Sequence, residues 1–423
     1  KYGHARVYFA GIIVLSIASV LAATSFDFNQ LILWSGLVGV GGALITANSN
    51  AILAMVFDEK ERGRAFSVPV VSARLGSLIG LVLFGIFLQF LNWRFVFLTS
   101  LPIGLLAVKY SYPLLKHHSA QITEAARNIS INYTGAILMV VTLGTFILSG
   151  LHLHGGEETF TSADAISYHV PMHLLFLVLL GLFIVVQYRS RVPFVDFRYF
   201  KHKYFSTALY TNATFHLSML AVVTLIPIVV ENGLGKAPIF VTLVLLPNQL
   251  LGLFLPTFAG WWYDRYNPRW LRPAAMMGIA LGFLLVGAFA SEVSWWGIPL
   301  LLLPTYIGSN LFNTANNAVV MNTLPESRTF ASGMLETTRQ MGHTLGTTIS
   351  ATILGLALPF AIELLPVPEA QLAYRDGFRL SALAVVLIIM SGSFVAAFQR
   401  TSTDRQPRRA VAPQGSEDDW MSH

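Results

Sequence analysis

The chain has 423 residues, of which 54% are hydrophobic and 11% charged, with a mean hydropathy of +0.62 and a formal net charge of +6. Soluble domains carry about 25% charged residues, so this composition excludes an ordinary soluble enzyme or binding domain and belongs to a multi-span membrane protein. The absence of cysteine excludes disulfides and thiolate metal sites and leaves the redox compartment open.

Apolar windows long enough to cross about 30 Å of hydrocarbon recur along the whole chain. They lack the two-residue alternation of barrel strands, so the expected fold class is all-α, a polytopic membrane helical bundle. In chain order the spans are read at 7–24, 29–57, 65–90, 93–115, 131–153, 170–190, 203–231, 237–262, 271–291, 295–322, 328–362 and 378–398. The polar stretch 399–423 reads as a disordered tail.

Basic residues alternate between connections. One set holds Lys1, Arg6, Lys60, Arg62, Arg64, Lys116, Arg127, five residues from Arg189 to Lys203, Arg265, Arg269, Arg272, Arg328 and four tail arginines. The other set holds only Arg94, Lys236, Arg375 and Arg379, which makes twenty against four. The positive-inside rule then places both chain ends in the cytoplasm. The net charge is thereby spent on topology, and nucleic acid is not expected as a partner. The loop around His152, His154, Glu157 and Glu158 has metal-like residue types but no fixed geometry, so no metal site is expected. The chain has no nucleophile–base–acid set, H-E-x-x-H or P-loop, and neither an enzyme nor a bound cofactor is expected.

The spans carry polar residues that lipid would penalise. At a rise of about 1.5 Å per residue, helix middles fall near His216, near Asn248 and Gln249, near Asn310 and Asn313, and near His343. Asn317 extends the asparagine stripe, Asn212 lies one turn before His216, and Arg74 sits nearer the cytoplasm on the third span. The stretch LETTRQMGHTLG puts Glu336, Arg339, Gln340 and His343 on one helix face and Gly342 and Gly346 on another. An Arg facing lipid costs at least about 2.5–3.5 kcal/mol, so the stripe is expected to face a watery cavity or its own partners, with the glycines packing on a neighbour. His343, with a reference pKa of about 6.5, is the expected titrating member.

An internal repeat relates the two ends. Arg62, Ala65, Gly76 and Gly80 map onto Arg328, Ala331, Gly342 and Gly346 at an offset of 266. Two like-oriented halves with a site between them is a transporter arrangement. The second half contains about two helices' worth of sequence before Arg265 that the first half lacks, and the natural chain is expected to carry about two further N-terminal helices.

The stretch from Gly260 through Asp264 and Arg265 to Arg269, GWWYDRYNPR, resembles the cytoplasmic loop motif G-x-x-x-D-R-x-G-x-R of the major facilitator superfamily. LILWSGLVGVGGAL with ANSNAIL and ERGRA, NWRFVFLTSLPIG, and SGMLETTRQMGHTLG are similar to helices four, six and thirteen of its fourteen-span drug:proton antiporter family. The resemblance implies two pseudo-symmetric halves and two extra central spans. Residues 1–115 would be the first half, 116–202 the central insert, 203–398 the second half and 399–423 a cytoplasmic tail. The pattern departs at Ser35, where the family carries an arginine linked to proton transfer, at Val38, at Asn267, and in the run Gly76 to Gly85, which lacks the usual proline. These departures bear on proton coupling rather than on fold.

The implied function is a secondary transporter exporting amphipathic drugs or other small organic compounds by proton antiport, through alternating access. The location would be a bacterial inner membrane, with lipid as surroundings and accessory efflux subunits left open. Arg74, Asn212, His216, Asn248, Gln249, Asn310, Asn313, Asn317, Glu336, Arg339, Gln340 and His343 are the candidate pathway residues. Asp264, with Gly260, Arg265 and Arg269, is the candidate conformational latch. Two alternatives stay open: a facilitated or ion-coupled transporter of one metabolite, and a non-transporting membrane scaffold or sensor.

Overall fold

The computed structural model describes residues 3–56, 62–118, 132–150, 163–266, 268–290, 292–324, 328–358 and 362–398. The loop with His152, His154, Glu157 and Glu158, and the tail 399–423, lie outside the described residues.

Among the described residues are twelve helices of at least 17 residues and no strand. They are α1 (His4–Ala23), α2 (Phe28–Val56), α3 (Arg62–Phe90), α4 (Ser100–His118), α5 (Tyr133–Ser149) and α6 (Ala163–Arg189). α7 (Lys203–Ile228), α8 (Pro238–Tyr266), α9 (Leu271–Phe289), α10 (Leu303–Thr323), α11 (Arg328–Ala357) and α12 (Val367–Phe398) follow. By length and hydropathy, nine spans among the described residues suit a membrane crossing, and α5, α10 and α11 fall short. α5 is merely short. α10 and α11 fail because they carry the asparagine and Glu–Arg–His stripes.

The ends of these helices have local causes. The Asn132 side chain accepts from Gly135 N at 2.7 Å and caps α5, while its amide donates to Ser190 Oγ and Val192 O beyond the end of α6. Two spans read as continuous are broken. The fourth is split at Thr99 into Arg94–Leu98 and α4, because Pro102 has no N–H to return to Leu98 O. The tenth is split into a 3-10 turn at Trp295–Gly297, a short helix Ile298–Leu301 and α10, whose Pro304 likewise leaves Leu300 O without its helical partner. α7 ends in a π-turn, Val229–Gly233, followed by Gly235 at φ 61°, where Lys236 N reaches back to Val230 O.

Two starts differ from the sequence reading. α6 begins at Ala163 and α12 at Val367, both well before the apolar windows. Arg375 and Arg379 therefore lie on α12 rather than in a loop, and Arg375 Nε donates to Gly233 O at 2.8 Å.

Neighbours are set by small residues. α1 packs between α2 and α4, with Gly11 against Leu44, Gly41 against Leu15, and Gly104 against Ser16. α7 to α12 form a second, tighter group around Phe215, Leu225, Val244, Met276, Ile279, Phe283, Tyr306 and Ile389. α5 and α6 pair with each other and lean on the second group through Phe183, Leu138 and Met139 against Phe205, Val320 and Met334. The first and second groups meet where α3 lies along α8.

Candidate functional site

A cleft of about 1220 Å³ lies between three helices from the three groups. α2 contributes Gly39, Gly42 and Thr46, α5 contributes Met139, Leu143 and Phe146, and α11 contributes Glu336, Arg339, Gln340 and Thr344. Two walls are apolar or small and the third is charged. That is the pattern of an organic-ligand site, in which a few polar groups orient a ligand held mainly by apolar contact.

The charged wall is internally bonded. Arg339 Nη1 stands 3.0 Å from Glu336 Oε2, and Gln340 Nε2 donates to Glu336 Oε1 at 2.8 Å. Both oxygens of the carboxylate are thus engaged one turn apart along α11. Arg339 Nε is buried and, among the described residues, has no hydrogen-bond partner.

The remaining stripe residue turns elsewhere. His343 Nε2 lies 3.1 Å from Nδ1 of His216 on α7, a hydrogen bond across the helix pair. This approach depends on Gly342 and Gly346. A Cβ built on Gly342 meets Ala213 O and, at 2.9 Å, His216 Cβ, and one on Gly346 meets Leu217 O. Any larger residue at either position would push α11 off α7.

Gly76 and Gly80, expected as packing glycines, are met by no neighbour among the described residues. Nothing lies within 4 Å of a Cβ built at either. The helix received by the α11 glycines is α7, the first of its group. Among the described residues, none occupies the equivalent place beside those two glycines of α3. Gly85 of the same run does pack: a Cβ there would meet Thr242 Oγ1 of α8.

The asparagines divide. Asn212 is 1% exposed, and its Nδ2 donates to Leu335 O at 3.0 Å and Thr338 Oγ1 at 2.9 Å. It holds α7 to α11 and is spent on packing rather than on the cleft. Asn316, which the stripe of Asn310, Asn313 and Asn317 passes over, is fully buried and accepts from Thr211 Oγ1 at 3.3 Å. Asn310 Nδ2 donates to its own helix at Tyr306 O, while Asn313 Oδ1 and Asn317 Oδ1 are buried and have no hydrogen-bond partner among the described residues. Asn248 and Gln249 are half-buried on α8.

Arg74 crosses between the groups. Its Nη1 would lie 3.2 Å from a Cβ on Gly252 of α8, and Asn310 Oδ1 3.5 Å from the same point. A lone glycine in an apolar helix gave no signal in the sequence, yet a side chain there would crowd the guanidinium and require it to shift.

In the loop motif, a Cβ on Gly260 would make ordinary contact with Thr314 Cγ2 at 3.7 Å, and the Arg265 guanidinium lies 5.9 Å from the Trp261 ring centroid. Arg269 is exposed, and the side chain of Asp264 lies outside the described residues. No group of three or more metal-ligating side chains gathers among the described residues.

The profile of the Major Facilitator Superfamily matches residues 1–347. The chain is 23% identical over 413 residues to MdtD of Escherichia coli O81 (strain ED1a), provisionally described as a multidrug resistance protein, covering 97% of this chain and 84% of that one. It is 24% identical over 353 residues to multidrug resistance protein 3 of Bacillus subtilis (strain 168), covering 83% of this chain and 67% of that one. The fold matches a bacterial homologue of the lysosomal transporter Spinster in an inward-facing, occupied conformation, with a TM-score of 0.55, 16% identity, and coverage of 95% and 84%. It also matches the peptide transporter POT in complex with sulfate, with a TM-score of 0.59, 16% identity, and coverage of 95% and 82%.

Proposed function

We propose, from the premise that this chain belongs to the major facilitator superfamily, that it exports amphipathic organic compounds across a bacterial inner membrane by antiport with protons. The cleft between α2, α5 and α11 carries the proposal: it is roomy, largely apolar, and bounded by helices of three groups whose rearrangement would expose it to either side. The multidrug-resistance names of several relatives support organic compounds as the cargo.

On this reading residues 1–115 and 203–398 are the two moving halves, 116–202 is the central insert, and 399–423 is a cytoplasmic tail, with both chain ends in the cytoplasm. Glu336, Arg339, Gln340 and Thr344 orient the cargo. Arg74, Asn248, Gln249, Asn310, Asn313 and Asn317 belong to the pathway between the halves. Asp264, beside Arg265 at the end of α8, acts as a latch through the helix termini and basic groups of the facing half.

The test is flux. Vesicles holding the full chain should move fluorescent organic cations and neutral amphiphiles against a gradient when a pH difference is imposed. A chain that inserts normally but gives no protein-dependent flux for any of them would refute export and favour a scaffold.

A further inference from the structure

Two histidines from different helices share a hydrogen bond that the cleft does not explain. His216 of α7 is 7% exposed and His343 of α11 is half-buried. The rings stand nearly perpendicular, at 76°, with centroids 5.0 Å apart and Nδ1 of His216 at 3.1 Å from Nε2 of His343. One of those nitrogens must carry a hydrogen and the other a lone pair. The outer nitrogens, Nε2 of His216 and Nδ1 of His343, have no hydrogen-bond partner among the described residues. A structural cross-link alone would be served by an amide or hydroxyl, as Asn212 serves a turn away.

We propose that His216 and His343 together form a proton-binding site that holds one proton for both rings and is loaded through His343, the more exposed of the two. It rests on the antiport proposal above. Two charged rings in contact would repel, so the pair titrates as a unit. The proton comes from water reaching His343 and adds to the free lone pair, leaving both rings bonded and the pair carrying one positive charge. It leaves to water by the same nitrogen when the helices have rearranged, and no other bond changes.

Among the described residues, the charges acting on the pair are Arg339 and Glu336 on α11 itself. Of the ionisable groups on the helices packed against α7, Tyr306 of α10 donates to Val244 O, and Arg375 of α12 is engaged at Gly233. Tyr210, on α7 itself, is bonded to Ser391 of α12. Arg339 lies about one turn, 5.4 Å, from His343 along α11, so a proton on the pair changes the potential at the charged wall of the cleft. Cargo bound there changes the proton's affinity by the same factor. This places proton and cargo on adjoining parts of one helix, about one turn apart.

His216→Asn and His343→Gln test the site, because the Asn amide nitrogen overlays Nδ1 and the Gln amide nitrogen overlays Nε2. Each variant can keep the cross-link while losing titration. With the full chain in lipid vesicles and histidine labelled with nitrogen-15, the wild type should show two ring signals that shift together in one step as pH is lowered. That step should vanish in either variant, and the double variant should bind no fewer protons than the singles. Two independent steps, or a step that survives in either variant, would overturn the proposal.

In parallel, ethidium accumulation driven by a pH difference should fall about tenfold in each variant, with ethidium exchange at equal pH measured on the wild type to establish that the cargo passes. A gradient-driven rate unchanged in both variants would place the proton elsewhere. If the wild type moves no ethidium in either assay, export of organic cations is what fails, and the titration still decides the pair.

Discussion

Thr242 of α8 donates its hydroxyl to Leu81 O of α3 at 3.2 Å, and one turn along α3 the absent side chain of Gly85 leaves room for the same threonine. This is a point of direct contact between α3 and α8. A Cβ at Gly85 would collide with Thr242 Oγ1 and Cβ, and because Cβ is fixed to the α8 backbone, turning the hydroxyl away does not clear it. Gly85→Val should part α3 from α8 while leaving insertion intact. With Leu81 and Thr242 replaced by cysteine in this cysteine-free chain, cross-linking should be efficient in the parent and at least about fivefold weaker with Gly85→Val. Equal cross-linking would show that the contact does not depend on Gly85.

Asn212 and Asn248 should separate stability from transport. Asn212→Leu removes an amide that ties α7 to α11 and leaves Asn316 Nδ2 without its Asn212 oxygen. The cost should be about 1–3 kcal/mol, read as a lower melting temperature in detergent. Asn248→Leu, on the half-buried face of α8, should leave melting unchanged and alter which compounds are moved. The reverse pattern would exchange their roles.

Glu336 and Arg339 are 46% and 36% exposed, so their ion pair contributes about 1 kcal/mol or less. Arg339→Gln should nonetheless harm transport more than Glu336→Gln, because it leaves a carboxylate facing the cleft with only Gln340 as partner. Replacing both should be milder than Arg339→Gln alone, a non-additivity that a double-mutant cycle on transport rates measures.

The linker between α6 and α7 offers a pH test outside the membrane spans. Asp196 caps the 3-10 turn Phe197–Lys201 and pairs with Arg198 at 2.8 Å. The hydrogen bond from the Arg198 side chain holds the Asp196 carboxyl below its ordinary value, against a smaller opposing effect of burial. A folded-state pKa below the unfolded one gives stability that is present above the unfolded value, about 3.9, and lost as pH falls through the folded one. Amide exchange around residues 196–202 should therefore be steady from neutral pH to about 5, once corrected for its intrinsic rate, and lose protection only in stronger acid. Asp196→Asn should abolish that acid step; an unchanged step would assign it to another carboxylate.

Orientation is tested by reporters. Fusions after residue 160 and after residue 410 should land on opposite sides of the membrane, the second in the cytoplasm. Both on one side would refute the twenty-against-four charge argument.

The number, order and apolar nature of the helices were legible in the chain because hydrocarbon accepts so few solutions: each span must be long, helical and nearly free of charge. Where that constraint relaxes, at the water-facing ends, α6 and α12 extend beyond their apolar windows and Pro102 and Pro304 break what hydropathy reads as continuous. The polar stripe on α11 was equally plain, since lipid penalises each of its members. Its partners were not: that Glu336 would turn to the cleft, His343 to His216, and Asn212 to packing depends on which helix stands beside which. The glycines show why. Gly76 and Gly342 occupy matching places in the repeat, yet among the described residues only Gly342 is met by a neighbour, α7. A glycine in sequence is only permission for close approach, and tertiary packing alone decides whether a neighbour takes it.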